Sequence, residues 1–344
     1  MRVVDAQINV LRNGVQFAEL RPIGSPTVRM TDGSGIPTAF SGDFEYNPDI
    51  DWLADRLQPV LEIDGVKTTL GIYLPATVTF SEDNTAESVH VEAYDQCWIV
   101  RDTKAETMPY FASGSNYIDV VRGLLVACGI SQILVTPTSD TLGYARQDWQ
   151  LGTSYLNIVN QLLGEINYKP LWFNGEGVAI LEPQSTPDPT KIQHTLNKDD
   201  IQSLLLPSIS RESDIYSAPN VFICALSNVN ETPVTVTVEN NNPQSPLSIM
   251  RRGRRVVQFT RVDDIANSTA LEAYARRQMF ESMTTGEIID VSTAIFPGYG
   301  VGDIVALHWD DLTALCIERG WTIQLGAGGT MTHHLERVVY NLDF

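Results

Sequence analysis

Cysteine is scarce in this sequence and never occurs in a motif. The four cysteines, Cys97, Cys128, Cys224 and Cys316, lie far apart in 344 residues. No Cys-x-x-Cys spacing exists, so zinc ribbons and thioredoxin-type redox centres lack their ligands. Each cysteine neighbours apolar residues, and buried free thiols are expected rather than disulfides. Histidine is equally sparse: His90, His194, His308, His333 and His334. No helical His-x-x-x-His or Glu-x-x-His pair exists to hold zinc or a di-iron centre. His333 and His334 are adjacent, so on a strand they project to opposite faces and cannot share one metal. His90 and His308 fall within alternating strands and read as wall or interface residues.

Long apolar runs are missing too. No window approaches the roughly 18 residues of a membrane span. The N-terminus starts a polar–apolar alternation with no apolar h-region after a basic start, so synthesis and folding in a cytoplasm are expected. Positive charge is in deficit: 23 basic residues face 42 acidic ones, a net charge of −19. Stable nucleic-acid binding needs Lys and Arg against phosphate, and anionic lipid repels such a surface, so neither partner is expected.

Catalytic signatures are likewise absent. There is no Gly-x-Ser-x-Gly nucleophile elbow. The one dense glycine run, Leu325-Gly-Ala-Gly-Gly329, precedes a strand pattern, whereas a phosphate cradle needs a helix N-terminus there. It reads as a hairpin loop. Asp43, Glu45, Asp49, Asp51 and Asp55 form a cluster of carboxylates. A glycosidase needs two carboxyls in a cleft, and the cluster lacks the order of an EF-hand loop. A solvated acidic face is the plainer reading. No catalytic, metal-binding or cofactor-binding residue is assigned, and the chain is read as a non-enzyme.

Apolar residues make up 43% of the chain and charged residues 19%, enough to bury sizeable cores. The length suggests two or three domains. Residues 1–100 read as β, with 15 acidic and 6 basic residues. Val4, Ala6, Ile8 and Val10 alternate with polar positions. Asp64-Gly65 sits between Val60–Ile63 and Val66–Leu74 as a tight hairpin signal. Val89, Val91 and Ala93 mark a further strand. Arg21–Asp49, rich in Gly, Pro and Asp, reads as a long loop broken by a short strand near Phe40–Tyr46.

Residues 101–196 change character and contain a repeat. Gly114-Ser-Asn-Tyr117-Ile-Asp-Val-Val121-Arg-Gly-Leu124-Leu125 matches Gly152-Thr-Ser-Tyr155-Leu-Asn-Ile-Val159-Asn-Gln-Leu162-Leu163. Each copy opens on capping residues. Apolar stripes follow at Ile118, Val121, Leu125 and Cys128, and at Leu156, Val159, Leu163 and Ile166. A strand–turn–strand is expected around Asn174-Gly-Glu-Gly177. Two copies are too few for a solenoid, so a compact α+β unit is expected.

Pro183–Pro189 reads as a linker and Asn240–Pro246 as a second break. Val256–Phe259 reads as a strand. Residues 268–283 read as a helix with a Thr269-x-x-Glu272 capping box and a stripe of Leu271, Tyr274, Ala275 and Met279. The remainder is β: Glu287–Thr293, Asp303–Trp309, Trp321–Leu325 and His334–Tyr340. Arg251, Arg252, Arg254 and Arg255 form one basic knot in an acidic chain. Without interleaved aromatics it is weak as a nucleic-acid patch. A solvated loop and an inter-subunit contact are the two readings it leaves.

Four segments carry a resemblance. Ser88-Val-His-Val-Glu-Ala-Tyr-Asp95 resembles the closing strand of a first barrel. The two Gly-x-x-Tyr-x-x-x-Val-x-x-Leu-Leu segments resemble a helical insert, the second running on to Gly177. Ala218-Pro-Asn-Val221, Asn242–Ile249 and Arg251-Arg-Gly-Arg254 are similar to a middle section, and Pro297–Val305 to a last barrel. In that order they resemble the tail hub (baseplate hub) family of tailed phages, prophages and contractile injection systems.

The resemblance implies a mainly β fold, with two tube-type β-barrel domains flanking a helix-containing α+β insert. It implies a first barrel at 1–100 completed by about 197–226, an insert at 101–196, and a second barrel at 227–344 carrying the helix. It implies a homotrimer whose six barrels form a pseudo-hexameric ring. The ring would join the tail tube or a distal tail protein to a spike, fibre or lytic protein, with a tape-measure protein nearby. It implies location in a virion or tail-like particle, with DNA only in transit. Because the chain stops at Phe344, any lytic region is expected on another chain. Two other classes stay open: a carbohydrate-binding module using Trp98, Trp149, Trp172, Trp309 and Trp321, and a glycoside hydrolase.

Overall fold

The computed structural model describes residues 2–33, 35–82, 87–184, 190–200, 204–212, 218–226, 234–243, 245, 247–262, 268–284 and 287–338. The N-terminal part is a run of strands: β1 (Val4–Arg12), β2 (Val15–Leu20), β3 (Pro22–Thr31), β4 (Thr38–Glu45), β5 (Arg56–Ile63), β6 (Val66–Thr69), β7 (Leu74–Glu82) and β8 (Glu87–Tyr94). Asp64 and Gly65 both take positive φ, 51° and 86°, as the tight β5–β6 turn requires. Asn13-Gly14 does the same between β1 and β2, at 53° and 77°. Antiparallel pairing gives one sheet of order β2-β1-β5-β6, facing a second that contains β3-β4-β8-β7. Ile8, Val10, Phe40, Phe44, Leu57, Leu61, Val89 and Val91 fill the space between them.

The expected long loop at 21–49 is mostly strand. β3 runs through it, with Pro26, Val28 and Met30 buried on one face. Gly24 and Pro26 hid that alternation, because they fall in a bulge between Ile23 and Thr27 where the register shifts.

The insert holds α1 (Cys97–Asp102), α2 (Tyr117–Ala127), β9 (Ile133–Val135), α3 (Tyr155–Glu165), β10 (Trp172–Phe173) and β11 (Ala179–Leu181). The repeat is real in three dimensions. Asn116 caps α2 by accepting from the Ile118 and Asp119 amides, and Ser154 caps α3 by accepting from Asn157. Gly114 and Gly152 precede the two caps with the same φ, 81° and 82°. The expected stripes are buried, apart from Cys128, which is half-buried.

The rest comprises β12 (His194–Asn197), β13 (Leu205–Glu212), β14 (Val221–Leu226), β15 (Val234–Glu239), α4 (Ile249–Arg252), β16 (Val257–Val262), α5 (Ser268–Thr284), β17 (Ile288–Ala294), β18 (Ile304–Trp309), β19 (Leu312–Gln324) and β20 (Thr330–Val338). The glycine run is the β19–β20 hairpin loop. The α5 stripe is buried as expected at Leu271, Ala275 and Met279. The cap at Thr269, residues 185–189 of the linker, and 339–340 of the last expected strand lie outside what the structure describes.

In this half β12 pairs with β18 and β13 with β17, while β14 joins β15 and β16 in a separate three-stranded sheet backed by α5. β19 is the mechanical link of the molecule. Its first half pairs with β18 and its second half with β3, on either side of the point, Glu318/Gly320, where its register with β20 shifts. One continuous sheet therefore crosses from the first half of the chain to the last. Gly320 permits this, because a Cβ there would lie 2.6 Å from the Met30 carbonyl oxygen.

Candidate functional site

A cavity of about 480 Å³ opens where the first strand unit, the insert and the last strand unit meet. Met30 and Asp32 come from β3 and its turn, Lys169 and Trp172 from the insert, Asp303 and Arg319 from the last unit. Its cations are already engaged. Lys169 Nζ lies 2.8 Å from Glu182. Arg319 bridges Asp32 at 2.8 Å and Glu336 at 2.5 Å. Arg277 donates to Asn167 at 3.1 Å. Such a wall welds three units together. Among its described lining residues there is no Ser, Cys or His.

The insert is also fastened by backbone. The Gly71 amide donates to the Gly175 carbonyl at 3.0 Å, and Gln96 donates to the Gly177 carbonyl at 2.7 Å. A side chain on Gly175 would meet the Thr69 carbonyl oxygen at 2.3 Å, so the turn can approach only as glycine.

Behind the cavity lies a buried polar cluster. His333 Nδ1 is 2.7 Å from Glu318 Oε2, and its Nε2 is 3.1 Å from Thr293 Oγ1. Tyr299 stacks on His194, which contacts Asp303 at 3.0 Å. Burial pushes the Glu318 carboxyl above the usual range, against the pull of His333. Both members of the pair are sealed from solvent. His334, one residue on, is exposed and meets Asp290 at 2.8 Å, so the two histidines do point to opposite faces.

The five carboxylates divide. Asp43 is exposed and meets His90 at 2.7 Å across the β4–β8 pair. Glu45 is exposed, 3.8 Å from Arg21, and Asp49 and Asp51 face solvent. Asp55 does not belong to this face: it is buried, 2.7 Å from Arg12, and accepts from the Asp51 amide at 2.9 Å. The hydrogen bond from Arg12 holds its carboxyl below the usual range. Sequence spacing could not separate a turn-locking aspartate from its solvated neighbours. None of the five lines the junction cavity.

The arginine knot spans α4 and the turn after it. Ser248 caps α4, and Gly253 ends it in the left-handed region, φ 64°. Arg251, Arg254 and Arg255 are exposed; Arg252 donates to the Ala218 carbonyl, and Arg255 meets Glu239 at 2.6 Å. Of the five candidate tryptophans, Trp149 and Trp321 are buried, Trp98 stacks with Tyr94 and meets Arg101, Trp172 lines the junction cavity, and Trp309 is half-buried with Lys198 over its ring. The thiols are suppressed by burial: Cys97 is pushed well up and Cys316 up to about 12. Among the described residues no group of three or more His, Cys, Asp or Glu forms a metal cage.

No protein-family model matches the chain, and no curated protein matches it. Solved structures do. A tail protein from Neisseria meningitidis superposes with a TM-score of 0.70 at 13% identity, covering 96% of each chain. The 43 kDa tail protein of prophage MuSo2 from Shewanella oneidensis gives 0.69 at 11% identity, over 97% of this chain and 99% of that one. This chain has the fold of phage tail proteins. The prophage tail protein gp18 from Listeria monocytogenes extends the likeness, with a TM-score of 0.60 at 14% identity over 95% and 94% of the two chains. A tail-protein fold agrees with the mainly β architecture and its α+β insert. The identities are low enough that what is shared is the fold.

Proposed function

We propose that the chain is a non-enzymatic structural subunit of a phage tail or tail-like particle, acting as its hub. The observation that carries this reading is the tail-protein fold over nearly the entire chain, insert included. The welded junction supports it, because a load-bearing part needs its units fixed relative to one another. Three copies form a pseudo-hexameric ring that joins the tube or a distal tail protein to a spike, fibre or lytic protein. A tape-measure protein is a further partner. The exposed carboxylates Asp43, Glu45, Asp49 and Asp51 are candidates for the wall of a channel through which DNA passes without sticking.

Electron microscopy of the assembled particle tests this. The expected map has three copies around an axial opening at the end of the tube. Copies that surround no opening, or a purified chain that turns over a glycan, would sink the reading.

A further inference from the structure

Two apolar cores meet at a polar layer. Trp321, Ile323 and Met331 belong to the core of the first strand unit, and Val305, Cys316 and Leu335 to the core of the last. Between them, on β19 and β20, lie Glu318 and His333, neither with any exposed side-chain surface. They touch at 2.7 Å, and Thr293 Oγ1 is the second partner of His333. One proton held by the pair leaves it neutral. Without that proton the pair is a buried anion, and with a second one a buried cation, and either state is costly. Burial raises the Glu318 carboxyl above the usual range, and His333 and the Gly320 and His334 amides offset only part of that.

Residues 297–303 lie against this pair. They read Pro-Gly-Tyr-Gly-Val-Gly-Asp, and Gly298 and Gly302 take φ of 129° and 88°, a region that favours glycine. The Tyr299 ring centroid is 4.4 Å from that of His333 and 3.9 Å from that of His194, and Tyr299 packs on both cores. Backbone holds the segment on β19. Gly302 donates to the Glu318 carbonyl at 2.8 Å, and the Glu318 amide to the Asp303 carbonyl at 2.9 Å. The Trp321 indole donates to the Tyr299 carbonyl at 2.9 Å. The segment also stands between two cavities: 300–303 line the junction cavity, and 297–300 line a second of about 170 Å³.

The charges around the pair are matched elsewhere. Asp303 of the segment meets His194 of β12, while Asp32 after β3 and Glu336 of β20 hold Arg319. β17 brings only the neutral Thr293. Burial pushes Tyr299 and Cys316 up to about 12, so neither is charged near neutrality.

We propose that residues 297–303 are a strap held shut by one proton. While Glu318 and His333 keep that proton between them, the strap lies on β19. When it is lost the strap lifts, water reaches the pair, and a wall common to the two cavities opens. In the lifted state the two groups follow their ordinary ranges, about 4.3 and about 6.5. Between those values the lifted and closed states hold equal numbers of protons, and opening does not depend on pH. Above about 6.5 only the closed state retains the proton, so opening grows about tenfold per pH unit.

Hydrogen exchange at the Gly302 and Glu318 amides of the full-length chain, corrected for intrinsic rate, reads the opening. From about pH 6.5 to about pH 8.5 it is expected to rise about a hundredfold. The Gly71 amide, bonded to Gly175 away from the strap, is expected to stay level. Glu318→Gln has no such proton to lose and is expected to flatten the rise. His194→Gln, which removes the half-buried histidine beside the strap, is expected to keep it. A flat wild-type profile, a rise shared by Gly71, a rise that survives in Glu318→Gln, or one that disappears in His194→Gln would each overturn the strap. The wild-type profile and the His194→Gln comparison leave the buried pair intact, so they test the strap even if Glu318→Gln does not fold.

Discussion

Glu165, the last residue of α3, is 4% exposed and accepts from Tyr117 Oη at 2.9 Å and Arg146 Nη1 at 2.7 Å. Arg146 is 1% exposed, with its guanidinium 4.9 Å from the Trp149 ring centroid. Arg146 also meets Asp148, so removing Glu165 weakens rather than abolishes its pairing, and Glu165→Ala is expected to cost about 1–3 kcal/mol in denaturant unfolding. Glu165→Leu combined with Arg146→Met should recover most of that; an equal loss in both variants would refute the explanation. Asp55 gives a pH signature. Its folded-state value lies below the unfolded one, so its contribution is present above the ordinary carboxylate range and fades as pH falls through the depressed value. Thermal midpoints of wild type and Asp55→Asn should therefore differ most near neutrality and converge as pH falls below the ordinary carboxylate range. A gap that stayed constant with pH would contradict this. The sequence displayed Asp55 among neighbours of the same charge, and only the fold buried it against Arg12.

The elements that local periodicity specifies were legible: α2, α3 and α5, with their caps or stripes, and the β5–β6 turn. What stayed hidden were strands whose alternation is broken by a bulge, β3 above all, and the first half of β19, where apolar residues lie on both faces. Contacts between elements were hidden as well. Asn174-Gly-Glu-Gly177 marks the turn between β10 and β11, yet nothing local says that Gly175 rests on the β6–β7 connection. Gly175→Ala is expected to destabilise by about 1–3 kcal/mol through overpacking against the Thr69 carbonyl. Faster amide exchange at Gly71, which loses its partner Gly175, would accompany it. Unchanged exchange there would show that the turn tolerates the methyl.

At the scale of the whole molecule, charge and topology act together. A surface of net −19 repels duplex DNA, so no complex is expected in a mobility-shift assay near physiological salt, even though one arginine cluster is exposed. A retarded band at micromolar chain would contradict a channel through which DNA slides freely. Residue order alone determined the acidity, the β-rich character, the duplicated helices and the absence of a recognisable catalytic or metal motif, because these depend on composition and on periods of two to four residues. Only the tertiary structure decided which strands pair across hundreds of residues, which carboxylate is buried, and which turn rests against which strand. Those outcomes follow from burial and register between segments remote in sequence, and no local pattern encodes them.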